Sequence, residues 1–138
     1  MSKVFTIESA NKTLPLVRRI VEDLVRQYGL WQQQLKQCEI AAAGAQSAQR
    51  TDTVALQREV QALAAEIEGF VEELAGLGAE AKAPLDSGLV DFPGELDGRV
   101  VYLCWRLGEP SIQHWHEIDA GFAGRQPLHP LPASAESS

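Results

Sequence analysis

Long apolar runs, paired cysteines and positive charge are all scarce in this chain, and each scarcity removes a class of protein. No segment approaches membrane-spanning length, and the opening Met-Ser-Lys-Val-Phe-Thr lacks the apolar run of a secretory signal. The expected location is therefore cytoplasmic, with no membrane partner. The only cysteines, Cys38 and Cys104, lie 66 positions apart and form no Cys-x-x-Cys. In a reducing compartment they read as free thiols, buried as small hydrophobes. Basic residues number 12 against 19 acidic, a net charge of -7. The imbalance is uneven: residues 1–78 hold 8 basic and 10 acidic side chains (net -2), and residues 79–138 hold 4 and 9 (net -5). This argues against nucleic acid as a partner, whereas an acidic surface suits metal cations or solubility. No nucleophile elbow, HExxH helix or Walker loop is present, so no named reaction is signalled.

What is present is an ordinary globular composition, 45% hydrophobic and 22% charged over 138 residues, enough for one domain with a real core. Thr6 can cap a first turn from Ile7 to about Asn11, and Pro15 fits the first turn of a longer helix. From Leu14 the apolar positions Val17, Val21, Leu24, Tyr28, Trp31, Leu35, Cys38 and Ala42 follow at alternating steps of 3 and 4. A second seam runs through Leu56, Val60, Leu63, Ile67, Phe70, Leu74 and Leu77. Thr51 or Asp52 can cap its start and Gly78 its end. Two such seams predict helices over 7–43 and 52–77, joined by a polar linker into a long, coiled-coil-like antiparallel hairpin. Counted along the two seams, from Leu14 in the first, each arm is roughly 40 Å long at 1.5 Å rise per residue. Val25, Leu30, Ile40, Val54 and Val71 widen the stripes, either to pack onto the protein's own sheet or to meet a partner hairpin; the second is the expectation, making a homo-oligomer, dimer or higher.

After Ala83-Pro84 the period changes to two, predicting a small antiparallel sheet over 79–118. Residues 89–92 read as a short strand stopped by Pro93, and Asp97-Gly98 as a hairpin turn. Residues 99–107 give the clearest strand, and 111–118 run back beside it. The segment 119–127 reads as an ordered loop closing an α+β domain over 1–128, with 129–138 a disordered tail.

The chemistry concentrates in the sheet. His114 and His116 share one strand face, an arrangement able to present metal ligands. An odd-length turn after residue 107 pairs Cys104 with His114 and Tyr102 with His116, a Cys/His/His cluster suited to zinc or a similar ion. An even turn pairs Trp105 with His114 and Leu103 with His116, leaving the histidines as half-buried core aromatics. Matching Ile112 and Ile118 to Leu103 and Leu107 favours this second register. Asp91, Glu109, Glu117 and Asp119 are carboxylates able to orient an imidazole. Arg106 can pair with a carboxylate or an anionic ligand, and Gly121-Phe-Ala-Gly-Arg125 can expose backbone N–H groups to an anion. Cys104, flanked by Leu103 and Trp105, sits where a thiol is held protonated, which disfavours it as a nucleophile.

Phe5-Thr-Ile-Glu-Ser-Ala-Asn, Leu14-Pro-Leu-Val, Gly88-Leu-Val-Asp-Phe-Pro, Tyr102-Leu-Cys-Trp-Arg-Leu-Gly-Glu and Trp115-His-Glu-Ile-Asp-Ala-Gly-Phe-Ala-Gly-Arg-Gln-Pro together resemble an uncharacterised prokaryotic family, a domain of unknown function. The resemblance covers about residues 4–128. It implies no activity or substrate. Its motif runs through Asp91, Arg99, Cys104, Arg106, Glu109, His116, Asp119, Gly121 and Arg125. An aromatic residue is common at the position of His114, which shifts weight to His116 with Asp119 or Glu117.

Two functions follow as expectations. The first is a non-enzymatic binding or assembly module, its helices forming the oligomer or meeting a protein partner. Arg106, Glu109, Asp119 and Arg125 would line its polar pocket. The second is a metal-binding protein or metal-dependent enzyme using His116 with Cys104, His114 or a nearby carboxylate.

Overall fold

The computed structural model describes residues 4–44 and 50–128. The linker, the tail at 129–138 and the side chains of Thr51 and Asp52 lie outside the described residues. Two long helices, α1 (Ile7–Ala43) and α2 (Arg50–Gly76), are followed by five strands. These are β1 (Glu80–Ala81), β2 (Leu89–Leu96), β3 (Arg99–Arg106), β4 (His114–His116) and β5 (Gln126–Pro127). They form one antiparallel sheet in chain order, making the molecule α+β. Among the described residues no helix is long and apolar enough to cross a membrane.

Thr6 and Ser9 start α1 with a reciprocal capping box: Ser9 N–H donates to Thr6 Oγ1 at 3.0 Å, and Thr6 N–H to Ser9 Oγ at 2.9 Å. From there α1 runs unbroken through Pro15, where two pieces were expected. Ala10, Leu14 and Val17 are buried on both sides of the proline, so packing carries the helix past the one missing donor. At the other end of the pair, Gly78 takes a positive φ. Its N–H donates to the Ala75 carbonyl, and that of Ala79 to Leu74. Those two bonds are a Schellman cap, which closes α2 and turns the chain into the sheet.

The helices pack antiparallel, and Gln27–Glu66 and Gln34–Glu59 hydrogen bonds cross between them at 2.6 and 2.7 Å. The seam is buried only near the sheet. Leu14, Val17, Val21, Leu24, Leu63, Ile67 and Leu74 are buried, whereas Tyr28, Trp31, Leu35, Cys38, Leu56 and Val60 are half-buried. The proximal half of the hairpin therefore lies on the sheet, and the distal half has only its other helix.

Alternation along the strands gives the sheet two faces. Val90, Phe92, Val101, Leu103 and Trp105 are fully buried in the core shared with the helices. Phe5 adds an edge-to-face contact with Phe92, and its N–H donates to the Pro93 carbonyl at 2.7 Å. That bond explains why Pro93 does not end β2, as the sequence led us to expect. In an antiparallel strand a residue's N and O point the same way, and here they point away from β3, so the missing N–H leaves the β2–β3 ladder intact. Gly94 is required by contact: a Cβ there would sit 2.7 Å from Leu103 Cγ.

Asp97 and Gly98, both at positive φ, make the two-residue turn joining β2 to β3. It fixes Asp91 opposite Cys104 and Phe92 opposite Leu103. Between β3 and β4 the register is the odd one, with Tyr102 opposite His116 and Cys104 opposite His114. The even register favoured from Ile112 and Ile118 is thereby overturned. The physical reason is the connection. β4 starts only at His114, and the preceding residues leave the ladder, with Ile112 N–H donating to Asn11 Oδ1 at 2.8 Å. Ile112 reaches the core from this loop, and Ile118 is exposed beyond β4.

Candidate functional site

The second face of the sheet carries the polar groups. Asp91 on β2, Cys104 on β3 and His116 on β4 are brought together there by the two registers. All three are buried, at 1%, 2% and 2% exposure. One ligand atom from each lies within 4.8 Å of the others. A tetrahedral ion with bonds of about 2.0–2.3 Å needs ligand separations of roughly 3.3–3.8 Å, so small side-chain rotations complete the set. Oxygen, sulfur and nitrogen donors together suit zinc or a similar divalent ion.

Hydrogen bonding orients the imidazole for this role. His116 Nδ1 lies 2.8 Å from the Glu117 carbonyl, which only accepts, so Nδ1 carries a hydrogen. Nε2 is thereby turned to Asp91 Oδ1, 3.0 Å away. At that distance the imidazole nitrogen and the carboxylate share a hydrogen bond, whose proton a metal ion could replace. The other carboxylate oxygen, Asp91 Oδ2, is buried without a hydrogen-bond partner, and Lys82 Nζ stays 3.9 Å from it. A buried carboxylate oxygen with one long ion pair and no hydrogen bond is poorly compensated, and a cation at the centre of the three groups would satisfy it.

Burial, then the nearby Asp91 charge, pushes the Cys104 thiol up to about 11; Arg125 opposes them in part. The thiol alone is no nucleophile at neutral pH. A bound cation inverts that setting, because a coordinating thiol is deprotonated outright. Arg125 also donates toward the Cys104 carbonyl at 3.5 Å, which ties the returning segment to β3.

Beside the triad a pocket of about 200 Å³ is walled by Lys82, Ala83, Leu89, Gly121 and Phe122. The 3-10 turn at Phe122–Gly124 brings Phe122 to it, with the guanidinium groups of Arg106 and Arg125 at 5.9 and 5.2 Å from the ring.

The remaining sequence candidates are distributed around this centre. His114 shares the face but turns toward Glu109, with Nδ1 3.6 Å from Oε2, and is not in the converging set. Glu109 is ion-paired with Arg125 and accepts the Arg106 N–H at 2.9 Å. Burial works against its ionisation, yet the Arg125 hydrogen bond and the Arg106 N–H hold it below the usual carboxylate range. Arg106 itself is exposed, and Asp119 is exposed in the turn after β4. None of Arg106, Glu109, Asp119 and Arg125 lines this pocket, and Glu109 and Arg125 form a brace beside it. Glu117 pairs with Arg99 at 2.7 Å instead of orienting His116 through its carboxylate.

Sequence reasoning ranked Asp91 as an orienting group, not as a third ligand, and passed over Lys82. The signal for Asp91 was available: a two-residue Asp97-Gly98 hairpin places it opposite Cys104.

No curated protein and no solved structure matches the chain. A family model does, over residues 3–128, and it is described as an uncharacterized conserved protein, DUF2203. With that match spanning residues 3–128, all five strands included, the protein belongs to this family of uncharacterized conserved proteins.

Proposed function

We propose that the protein is a metal-binding module, holding one divalent ion of the zinc type through Asp91, Cys104 and His116 and presenting it to a small-molecule pocket. The observation that carries this reading is the convergence of three buried ligand atoms, with Asp91 Oδ2 making no hydrogen bond and held only by a 3.9 Å ion pair to Lys82. Three protein ligands with a fourth position toward a cavity is the arrangement of ions that bind exogenous groups, whereas purely structural zinc is enclosed by four. The His116–Glu117 carbonyl bond supplies the outer contact that ligating histidines use.

The test is elemental mass spectrometry on protein purified without chelator. About one transition-metal ion per chain is expected, lost in His116→Ala and in Asp91→Ala protein that remains folded. Folded wild-type protein that takes up neither zinc nor cobalt overturns the reading.

A second reading, self-assembly through the helical hairpin, is favoured by its distal half. Leu30, Ile40 and Val54 are exposed there, and Trp31 Nε1 is buried without a partner. A second copy would cover this surface, and a cytoplasmic assembly module would then carry the metal pocket at its base. Light scattering behind size exclusion tests it: a dimer or larger species is expected, converted to monomer by Leu30→Glu with Ile40→Glu. A monomer at high concentration overturns it.

A further inference from the structure

The geometry points to a small monocarboxylate as the ligand of this pocket, one oxygen on the metal ion and the other on the Lys82 ammonium. This rests on the metal reading above and gives it a ligand class.

Charge selects the anion. A divalent ion is neutralised by the Asp91 carboxylate and the Cys104 thiolate, and His116 adds none as a neutral ligand. Lys82 then leaves the pocket with a single positive charge. Its Nζ is 3.9 Å from Asp91 Oδ2 and 5.8 Å above the Tyr102 ring, so it stands at the wall beside the metal position. Its other contact is Glu80, 3.5 Å away and 56% exposed, a wet pair that holds the ammonium weakly. Once the metal engages Asp91, Lys82 lacks a buried counter-charge. One monoanion supplies it. A phosphate dianion brings one charge too many.

Shape selects the rest. Ala83, Leu89 and the Phe122 ring give the pocket an apolar wall, and apolar walls with a few convergent polar groups bind organic ligands rather than bare ions. Phe122 is 46% exposed, its ring flanked by the guanidinium groups of Arg106 and Arg125. A short aliphatic or aryl tail would cover it.

The experiment uses the full chain loaded with cobalt(II), whose visible bands report the ligands of the ion. Acetate, propionate and benzoate are titrated at constant ionic strength, with phosphate in parallel. Saturable band shifts are expected with each carboxylate, with propionate binding up to about four-fold tighter than acetate for its added methylene. Lys82→Gln is expected to weaken acetate at least ten-fold while cobalt stoichiometry stays unchanged. Phe122→Ala should erase the preference for propionate. A cobalt-loaded protein whose bands ignore carboxylates overturns the proposal and leaves the metal reading standing. So does Lys82→Gln protein that binds acetate as the parent does, or phosphate binding tighter than any carboxylate. Failure to take up cobalt overturns both readings together.

Discussion

The centres of the two sheet faces are buried to the same depth and could hardly differ more in chemistry. Toward the helices stand Val90, Phe92, Val101, Leu103 and Trp105; away from them, under a short returning segment, stand Asp91, Cys104 and His116. Burial of the first set is the hydrophobic effect at work. Burial of the second opposes it, since charges taken from water need pairing that rarely returns more than it costs. A fold seeking stability alone would make both faces apolar. The polar face is therefore where the chain has accepted a stability cost, and such sites are the places to expect binding or chemistry.

The largest effect should come from the apolar face. Trp105 is fully buried, donates Nε1–H to the Glu109 carbonyl at 3.0 Å and lies under the Arg18 guanidinium. Trp105→Ala should lower unfolding free energy by about 3–5 kcal/mol, read by urea denaturation. A smaller loss, near 1 kcal/mol, would mean that the helical hairpin and the sheet are not one cooperative unit.

On the polar face single and double changes should diverge. Asp91→Ala leaves a buried imidazole beside nothing, and breaking such a pair costs about 3 kcal/mol. Replacing Asp91 and His116 together with leucine removes both buried polar groups and should recover most of that loss, while metal uptake is abolished. If the double variant is as unstable as the single, the pair is structural and the contrast between the faces fails.

How far these faces could be read beforehand depends on the range of the signal. The helices were legible because a 3–4 seam repeats over many turns and no single residue decides it. The face assignments of β3 were legible from strict alternation in residues 99–106. The β4 register was not, because it depends on one residue more or less in a loop. Ile112 misled, entering the core from a non-strand segment tied to Asn11, while Ile118 stayed in water. Pro93 misled because a missing donor matters only on the side that faces the partner strand. Lys82 left no pattern in the sequence, since its place beside Asp91 follows from β1, a strand of only two residues.

The Glu109–Arg125 brace should contribute an intermediate, pH-dependent amount. Glu109 is held below the usual carboxylate range, so it binds fewer protons folded than unfolded near its ordinary value of 4.5. Its stabilisation is then fully present above that value and lost as the pH falls through the lower folded one. Glu109→Gln should cost about 1.5–2 kcal/mol at pH 7, the low end for hydrogen bonds to charged groups. The gap between the two proteins should narrow in acid. A gap independent of pH from 7 to 3 would assign the loss to packing.

The smallest effect returns to the apolar face, where charge does occur, but only at its wet end. Arg99 and Glu117 share the parity of Trp105 and Trp115, and they pair at 2.7 Å, a shorter contact than the 3.0 Å of Asp91 with His116. Distance alone would rank them as the stronger pair. Exposure reverses the ranking, because at 56% and 41% water competes for both groups, and salt screens what remains. Arg99→Ala should therefore change stability by at most about 1 kcal/mol, with part of that from its stacking over Trp115. Raising salt from 0.1 to 1 M should shrink the difference further, leaving only the stacking contribution. A loss above 2 kcal/mol that persists in high salt would show that the apolar face also relies on a desolvated charge pair, and the division between the faces would then be one of degree.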